Sequence, residues 1–237
     1  MTGSLFVREQ NRWITALVIL SLVLLIPIGL VISGFFIPAN DNWIHLKEHL
    51  LKEYLFNTIT TLFISAFLSL IWAVIPAWLI ARYRFPGRKI FLLLLILPLA
   101  IPSYIMAFIY SGFFDVYGTL HLFLLNWFPE IQYRFSVKNL FGLNWVLSLA
   151  LFPYVFLIVH TSFKVHQESL LEAAQILGAN SFQQFTKIAL PLARPAIAGG
   201  LFLVIMEVLN DYGAAQYFGV RTLTTGIFRT GFSRGDI

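Results

Sequence analysis

An all-α integral membrane protein is the fold class this sequence predicts, on three observations. Hydrophobic residues make up 59% of the 237 and charged residues only 11%, against roughly a half and a quarter in soluble domains. The apolar residues gather in uncharged runs long enough to cross a bilayer, which takes about twenty helical residues. Between two of these runs stand Arg82, Arg84, Arg88 and Lys89, four cations in eight residues with no acid among them, as in a short cytoplasmic turn. The net charge of +5 then belongs to cytoplasmic loops, and no nucleic-acid partner is expected. Cysteine is absent, which excludes disulfides, thiolate metal sites and cysteine nucleophiles.

The chain opens with Arg8 and Arg12 ahead of a first apolar run, 14–37. That run is too long for a signal-peptide core and no small-residue cleavage site follows it. It is expected as the first span, with the N-terminus inside. Residues 38–54 are then external. His45 and His49 share a helical face at a spacing that can chelate a metal. With no third ligand, an amphipathic surface helix with Trp43 among the headgroups is the better reading, and no metal site is expected. Residues 55–81 carry no charge and form the second span. At its outer end Asn57, Thr58, Thr60 and Thr61 either pack against other helices or cap the helix at the headgroups.

After the basic turn, residues 90–114 are the third span. Pro98 and Pro102 inside it should kink or unwind the helix, which neighbouring protein or water can compensate. The groups around Ser103 and Tyr104 either line a pathway or sit at a packing kink. Residues 115–139, with Trp127 and Tyr133, are expected as an aromatic external loop. The fourth span, 140–163, is interrupted by Pro153. Near its inner end His160 is expected to be hydrogen-bonded to a neighbour rather than catalytic.

Residues 168–195 are the long polar interruption of the second half, and they read as a hairpin of two short helices. Ser169 and Glu172 have the spacing of a capping box, and Ser181 and Gln184 repeat it. Gly178 suits a left-handed helix end, and Pro191 disfavours helix at Leu190 and marks the stop. Leu170, Ala173, Ala174 and Leu177, then Phe182, Phe185, Ile188 and Ala189, recur at helical spacing and offer an apolar face. Counting crossings from the basic turn puts the hairpin in the cytoplasm, and Lys164 and Arg194 at its ends agree.

Glu172, Ala173 and Ala174, then Gly178 after three residues, then Ile188, Ala189, Leu190 and Pro191 after nine more, resemble the EAA motif of permease subunits of bacterial ABC importers. The resemblance implies a type I importer transmembrane domain of about five transmembrane helices, in the bacterial inner membrane. It implies that the loop 164–194 is a cytoplasmic coupling hairpin. Glu172, Ala173, Ala174, Gly178, Ile188, Leu190 and Pro191 would dock in a groove on a separate ABC ATPase subunit, a helix-in-groove contact. A periplasmic solute-binding protein and a second permease unit, fused or separate, are the other implied partners.

The fifth span runs from Ala196 to about Tyr212, with Pro195 acceptable in its first turn. Glu207 and Asp211, four apart, would share one helical face, with Asn210 beside them. Acids at membrane depth face a cavity or a partner, so the three residues either border the substrate pathway or, if the helix ends near Met206, lie among headgroups. Residues 213–237 carry Arg221, Arg229 and Arg234 on the side that counting makes external, against the positive-inside tendency. The stretch 207–232, with Tyr217 opening a Tyr-Phe-Gly-Val turn ahead of Thr-Thr-Gly-Ile, is similar to the matching segment of ferric-iron permeases. That implies iron as the solute and Tyr217 as a pathway residue. Thiamine and polyamine permeases are related alternatives. Family units carry a further helix and the iron branch fuses two units, so the chain is expected to be a single transmembrane permease domain resembling an amino-terminal half, cut short.

No phosphate-binding loop of the G-x-x-x-x-G-K-[ST] form is present, so ATP hydrolysis is expected on another subunit. No cofactor is expected. Two readings from other classes stay open: a proton-coupled carrier using Glu207 or Asp211, and a membrane enzyme using the same acids.

Overall fold

The structure is a computed structural model that describes residues 3–34, 36, 46–128, 136–166 and 168–234. It divides into two compact units, Met1–Leu50 and Leu51–Ile237. In the first, helix α1 (Gly3–Gly34) contains 22 residues, Trp13–Gly34, long and apolar enough to cross a membrane. Its large apolar side chains are exposed all round, from Trp13 to Ile32, as suits a helix whose solvent is lipid. The expected first span is there, ending at Gly34. Leu46–Leu50 is a π-helical turn, while Trp43 and His45 lie outside the described residues. No group of three metal-ligating side chains occurs among the described residues.

The second unit is built on three long helices, α2 (Leu51–Arg82), α6 (Leu140–His166) and α9 (Arg194–Asn210). On α2, Thr61, Ser65, Ser69, Ala73 and Ala77 are buried at four-residue intervals, a small-residue stripe that lets another helix approach closely. That helix is α6. Ser65 Oγ donates to Asn144 Oδ1 at 3.0 Å and Ser69 Oγ to the Ser148 carbonyl at 3.3 Å. α6 is the central post: 72% of its span is buried, against 39% for Leu46–Arg82. α9 packs on α6 through Gly200, where a Cβ would lie 2.7 Å from Val155 Cα. Val204 and Val208 continue that buried line at four-residue steps.

Pro153 does not interrupt α6, contrary to expectation. The helix runs through it, and the side chain is fully enclosed, so neighbouring protein holds the backbone that proline weakens. His160 also departs from expectation: its buried Nε2 has no hydrogen-bond partner among the described residues, and the ring stacks on Phe156 at 5.6 Å.

The two prolines of the third apolar run do break it. α3 (Arg88–Ile96) gives way to a 3-10 turn, Leu97–Ala100. Ile101 is extended, and α4 (Ser103–Phe114) restarts after Pro102. The aromatic stretch expected as a loop folds in part as α5 (Thr119–Trp127), so that Ser103–Trp127 has the length and composition of a span. Its leucines and aromatics are apolar enough to favour helix over a solvated loop, and Tyr133 lies outside the described residues. Among the described residues four helices qualify as spans, or five if the bent pair Ser181–Leu192 and Arg194–Asn210 counts as one, against the five expected.

Candidate functional site

The polar interruption folds as the hairpin predicted, α7 (Glu168–Ile176) and α8 (Ser181–Leu192). Gly178 has φ +84°. Its N–H donates to the Gln175 carbonyl at 3.0 Å, and the Ala179 N–H to the Ala174 carbonyl at 2.9 Å. This paired pattern closes a helix end and needs a left-handed residue at the turn. The second cap sits one residue earlier than expected, at Asn180 rather than Ser181. Asn180 Oδ1 accepts from Gln183 N–H at 2.8 Å, and Gln183 Oε1 accepts from Asn180 N–H at 3.1 Å. Asparagine is at least as good a cap as serine, and the turn delivers it in extended backbone. The Ser169 side chain lies outside the described residues.

Pro191 does not stop the helix. Leu190 is α-helical, at φ −63° and ψ −45°. A π-turn, Phe185–Ala189, precedes it and widens the backbone where proline lacks its amide. The real break comes at Ala193, a bend of 66° between α8 and α9. Pro195 occupies the first turn beyond it, as expected.

The hairpin has two apolar faces rather than one. Leu171, Ala174 and Ala189 are buried against the rest of the unit, with Phe185 and Ile188 half-buried. Leu170, Ile176, Leu177 and Phe182 point away and are exposed, Ile176 and Leu177 at 87% each. Glu172 and Ala173 are exposed too, while Leu190 and Pro191 are half-buried. Two side chains on the last turns of α2 hold the inner face. Arg82 Nη2 donates to Gln175 Oε1 at 2.8 Å and to Gln184 Oε1 at 3.3 Å. Gln184 is itself buried and donates through Nε2 to the Ala179 carbonyl at 2.9 Å. Trp78 packs edge-on to Phe163 at 5.5 Å and against Phe185 at 5.4 Å. Arg82 was read from the sequence only as a topological charge. Nothing local pointed to Gln175 or Trp78, and Gln184 was expected as a capping partner of Ser181 rather than of Arg82, because these partners lie far away in sequence.

The four expected pathway residues are not brought into one cluster. α9 ends at Asn210, past Met206, and Asp211 turns out of the helix at φ −72° and ψ 113°. Helical spacing therefore does not place Glu207 and Asp211 on one face. Asp211 works as a cap: Oδ1 accepts from the Ala214 and Ala215 N–H groups at 2.9 and 3.2 Å, starting α10 (Gly213–Tyr217). Its Oδ2 accepts from Ser103 Oγ, which ties it to the break between α3 and α4. Glu207 is exposed and accepts from Tyr154 Oη at 3.4 Å, and Asn210 is exposed. Tyr217, under Lys138 at 5.3 Å, lines a cavity of about 460 Å³ with Tyr104, Phe108, Tyr212 and Gln216.

The Tyr217-to-Ile227 segment builds structure with its distinctive residues. Gly219 takes φ +69° and closes α10 as Gly178 closes α7. Thr222 and Thr225 cap α11 (Leu223–Arg234) reciprocally. At Gly226 a Cβ would lie 2.7 Å from the Tyr54 ring. α2 reaches back: Asn57 Nδ2 donates to the Arg221 carbonyl, and Thr58 Oγ1 accepts from Leu223 N–H, both at 2.9 Å. Packing, not headgroup capping, is thus the use of these two residues. Buried Thr61 Oγ1 has no partner among the described residues. Arg221 pairs with Glu53 at 3.2 Å.

Residues 70–233, spanning the core helices, the hairpin and this segment, match the family model "Binding-protein-dependent transport system inner membrane component". The chain belongs to that family. This inner membrane component is a multi-pass bacterial inner-membrane protein with the fold of a type I ABC importer transmembrane domain. It is 27% identical over 207 residues to the sulfate transport system permease protein CysT of Escherichia coli, covering 86% of this chain and 72% of that one. It is 28% identical over 228 residues to the Fe(3+)-transport system permease protein FbpB 2 of Haemophilus influenzae, covering 94% of this chain and 40% of that one. Permeases named for molybdenum and for spermidine/putrescine also match. A chain of a bacterial alginate ABC transporter, solved with an alginate pentasaccharide-bound periplasmic protein, superposes with TM-score 0.76 at 19% identity, over 96% of this chain and 85% of that one. At that identity the likeness is one of fold. The relatives are transport permeases, and the substrates they are named for differ.

Proposed function

We propose that the chain is the permease component of an ATP-driven solute importer and that residues 168–191 are where a cytoplasmic ATPase docks. The supporting observation is the exposed apolar tip: Ile176, Leu177 and Phe182 are 87%, 87% and 74% exposed on a hairpin whose other face is anchored by Arg82 and Trp78. An apolar helix face outside the lipid-facing helices needs a groove to fill. The ATPase closes on nucleotide, the hairpin follows, and α8 carries the motion across the Ala193 bend into α9. For the shift to be driven, the two membrane states must differ in their contacts with the nucleotide-bound ATPase. A periplasmic solute-binding protein and a second permease unit complete the proposed importer.

Ferric iron is the proposed solute, supported by the similarity of residues 207–232 to ferric-iron permeases and by a match to FbpB 2 over nearly the whole chain. Sulfate, molybdenum, thiamine and polyamine are the rivals, separated by an uptake panel in cells carrying the full gene. Docking is tested by Leu177→Ser with Phe182→Ala. The double variant should keep its thermal unfolding midpoint and lose ATP-dependent uptake by at least tenfold, the scale of truncating interface anchors. Unchanged uptake would reject the docking site. Uptake that survives deletion of every ATPase partner and follows the proton gradient would replace the importer with a carrier.

A further inference from the structure

Between the basic turn and the hairpin lies a cavity of about 310 Å³ lined by Arg82, Arg84, Arg88 and Lys164. Its remaining walls include Trp78, Phe163 and Leu171. Among the described residues none of the four cations is in an ion pair, the two salt bridges present being at Lys138 and Arg221. Glu172, next to Leu171, is exposed and pairs with none of them. Arg82 spends one nitrogen on Gln175 and Gln184 and keeps further donors in its fork. Four like charges around one recess repel one another and focus a positive potential into it. The arrangement calls for an anion, and the geometry recommends its shape: a compact, multiply accepting head that guanidinium groups can chelate.

We infer that this cavity binds the phosphate headgroup of an anionic phospholipid of the cytoplasmic leaflet. Phosphate is the shared chemistry of a lipid and a free anion. The lipid is favoured because the cations sit where α2 and α6 end and α3 begins, at headgroup level. The bound headgroup would bridge the basic turn, the end of α6 and the root of α7, so it would set the hairpin's stiffness without touching its exposed tip. The inference does not depend on what docks at that tip.

The test uses the purified full chain with its partner subunits in detergent. Phosphatidylglycerol should raise the unfolding midpoint and stay bound in native mass spectrometry, and phosphatidylcholine should do neither. Arg84→Gln with Lys164→Gln, both exposed positions, should weaken retention about thirtyfold, equivalent to roughly 2 kcal/mol at about one per near-surface cation. Arg221→Gln, at the other end of α2, should retain lipid normally. Arg88→Gln gives a second variant if the double one folds poorly. Equal retention of the two lipids, or undiminished phosphatidylglycerol on the double variant, would overturn the site. Full stabilisation by millimolar inorganic phosphate alone would assign it to a free anion and overturn the lipid.

Discussion

The two ends of α2 hold their neighbours by different means. At its N-terminal end, Asn57 and Thr58 bond the backbone of the 221–223 segment, and Gly226 lets α11 lie directly on Tyr54. At its C-terminal end the hairpin is gripped by one arginine and two glutamines, and by a tryptophan between two phenylalanines. Side chain-to-backbone bonds across a tight approach leave little freedom. Long side chains meeting end to end can slide, exchange partners or let go at modest cost. By these contacts the first end is held the more rigidly, and in the proposed importer the second is the end that moves.

That contrast is most severely strained where both ends share a core. Gly200→Leu should be the most damaging change, since its side chain must displace the Val155 backbone. Overpacking of this kind costs about 1–3 kcal/mol or more, seen as a lower unfolding midpoint and poor folded yield. Next comes Asp211→Ala at the fixed end. Loss of a helix cap costs about 1 kcal/mol and up to about 2, whereas Asp211→Asn should retain most of that stability, because asparagine caps as well. If Asp211→Asn folds normally yet abolishes uptake, the carboxylate has a pathway role beyond its cap.

Gly178→Ala at the movable end should cost about 1 kcal/mol, the penalty for left-handed backbone with a Cβ. The cost should appear as faster amide exchange in α7 and α8 rather than as a large global shift. Uptake should fall more than stability. Arg221→Gln should be the mildest, within about 1 kcal/mol, because its ion pair with Glu53 is about half exposed and surface pairs are worth little. A larger effect there than at Gly178 would invert the assignment of fixed and movable ends.

Much of this was readable in advance, and the misreadings have a common source. The hairpin, its turn at Gly178 and the breaks at Pro98 and Pro102 follow from backbone preferences that operate within a few residues. Pro153 and Pro191 obey the same preferences but are overruled, one by enclosure among neighbouring helices and the other by a π-turn. Glu207 and Asp211 looked like a pair because a helical period was assumed to continue. It ends at Asn210, where Asp211 is recruited as a cap by α10 and by Ser103 on another helix. Within 207–232, Gly219 closes one helix, Thr222 and Thr225 cap the next, and Gly226 packs it on Tyr54, roles that no spacing in the sequence announced.

Membrane residence, the number of long apolar runs and the polar hairpin were determined by the sequence alone, because burial in lipid and backbone closure are local demands that composition and spacing express directly. Which face of the hairpin turns inward, which arginine grips it and where Arg82, Arg84, Arg88 and Lys164 meet around one cavity were decided only in three dimensions. Those outcomes depend on pairs such as Arg82 with Gln175 and Gln184, and Thr58 with Leu223. No period in the chain encodes such pairs, and only the packing of α2, α6 and α9 brings them within reach.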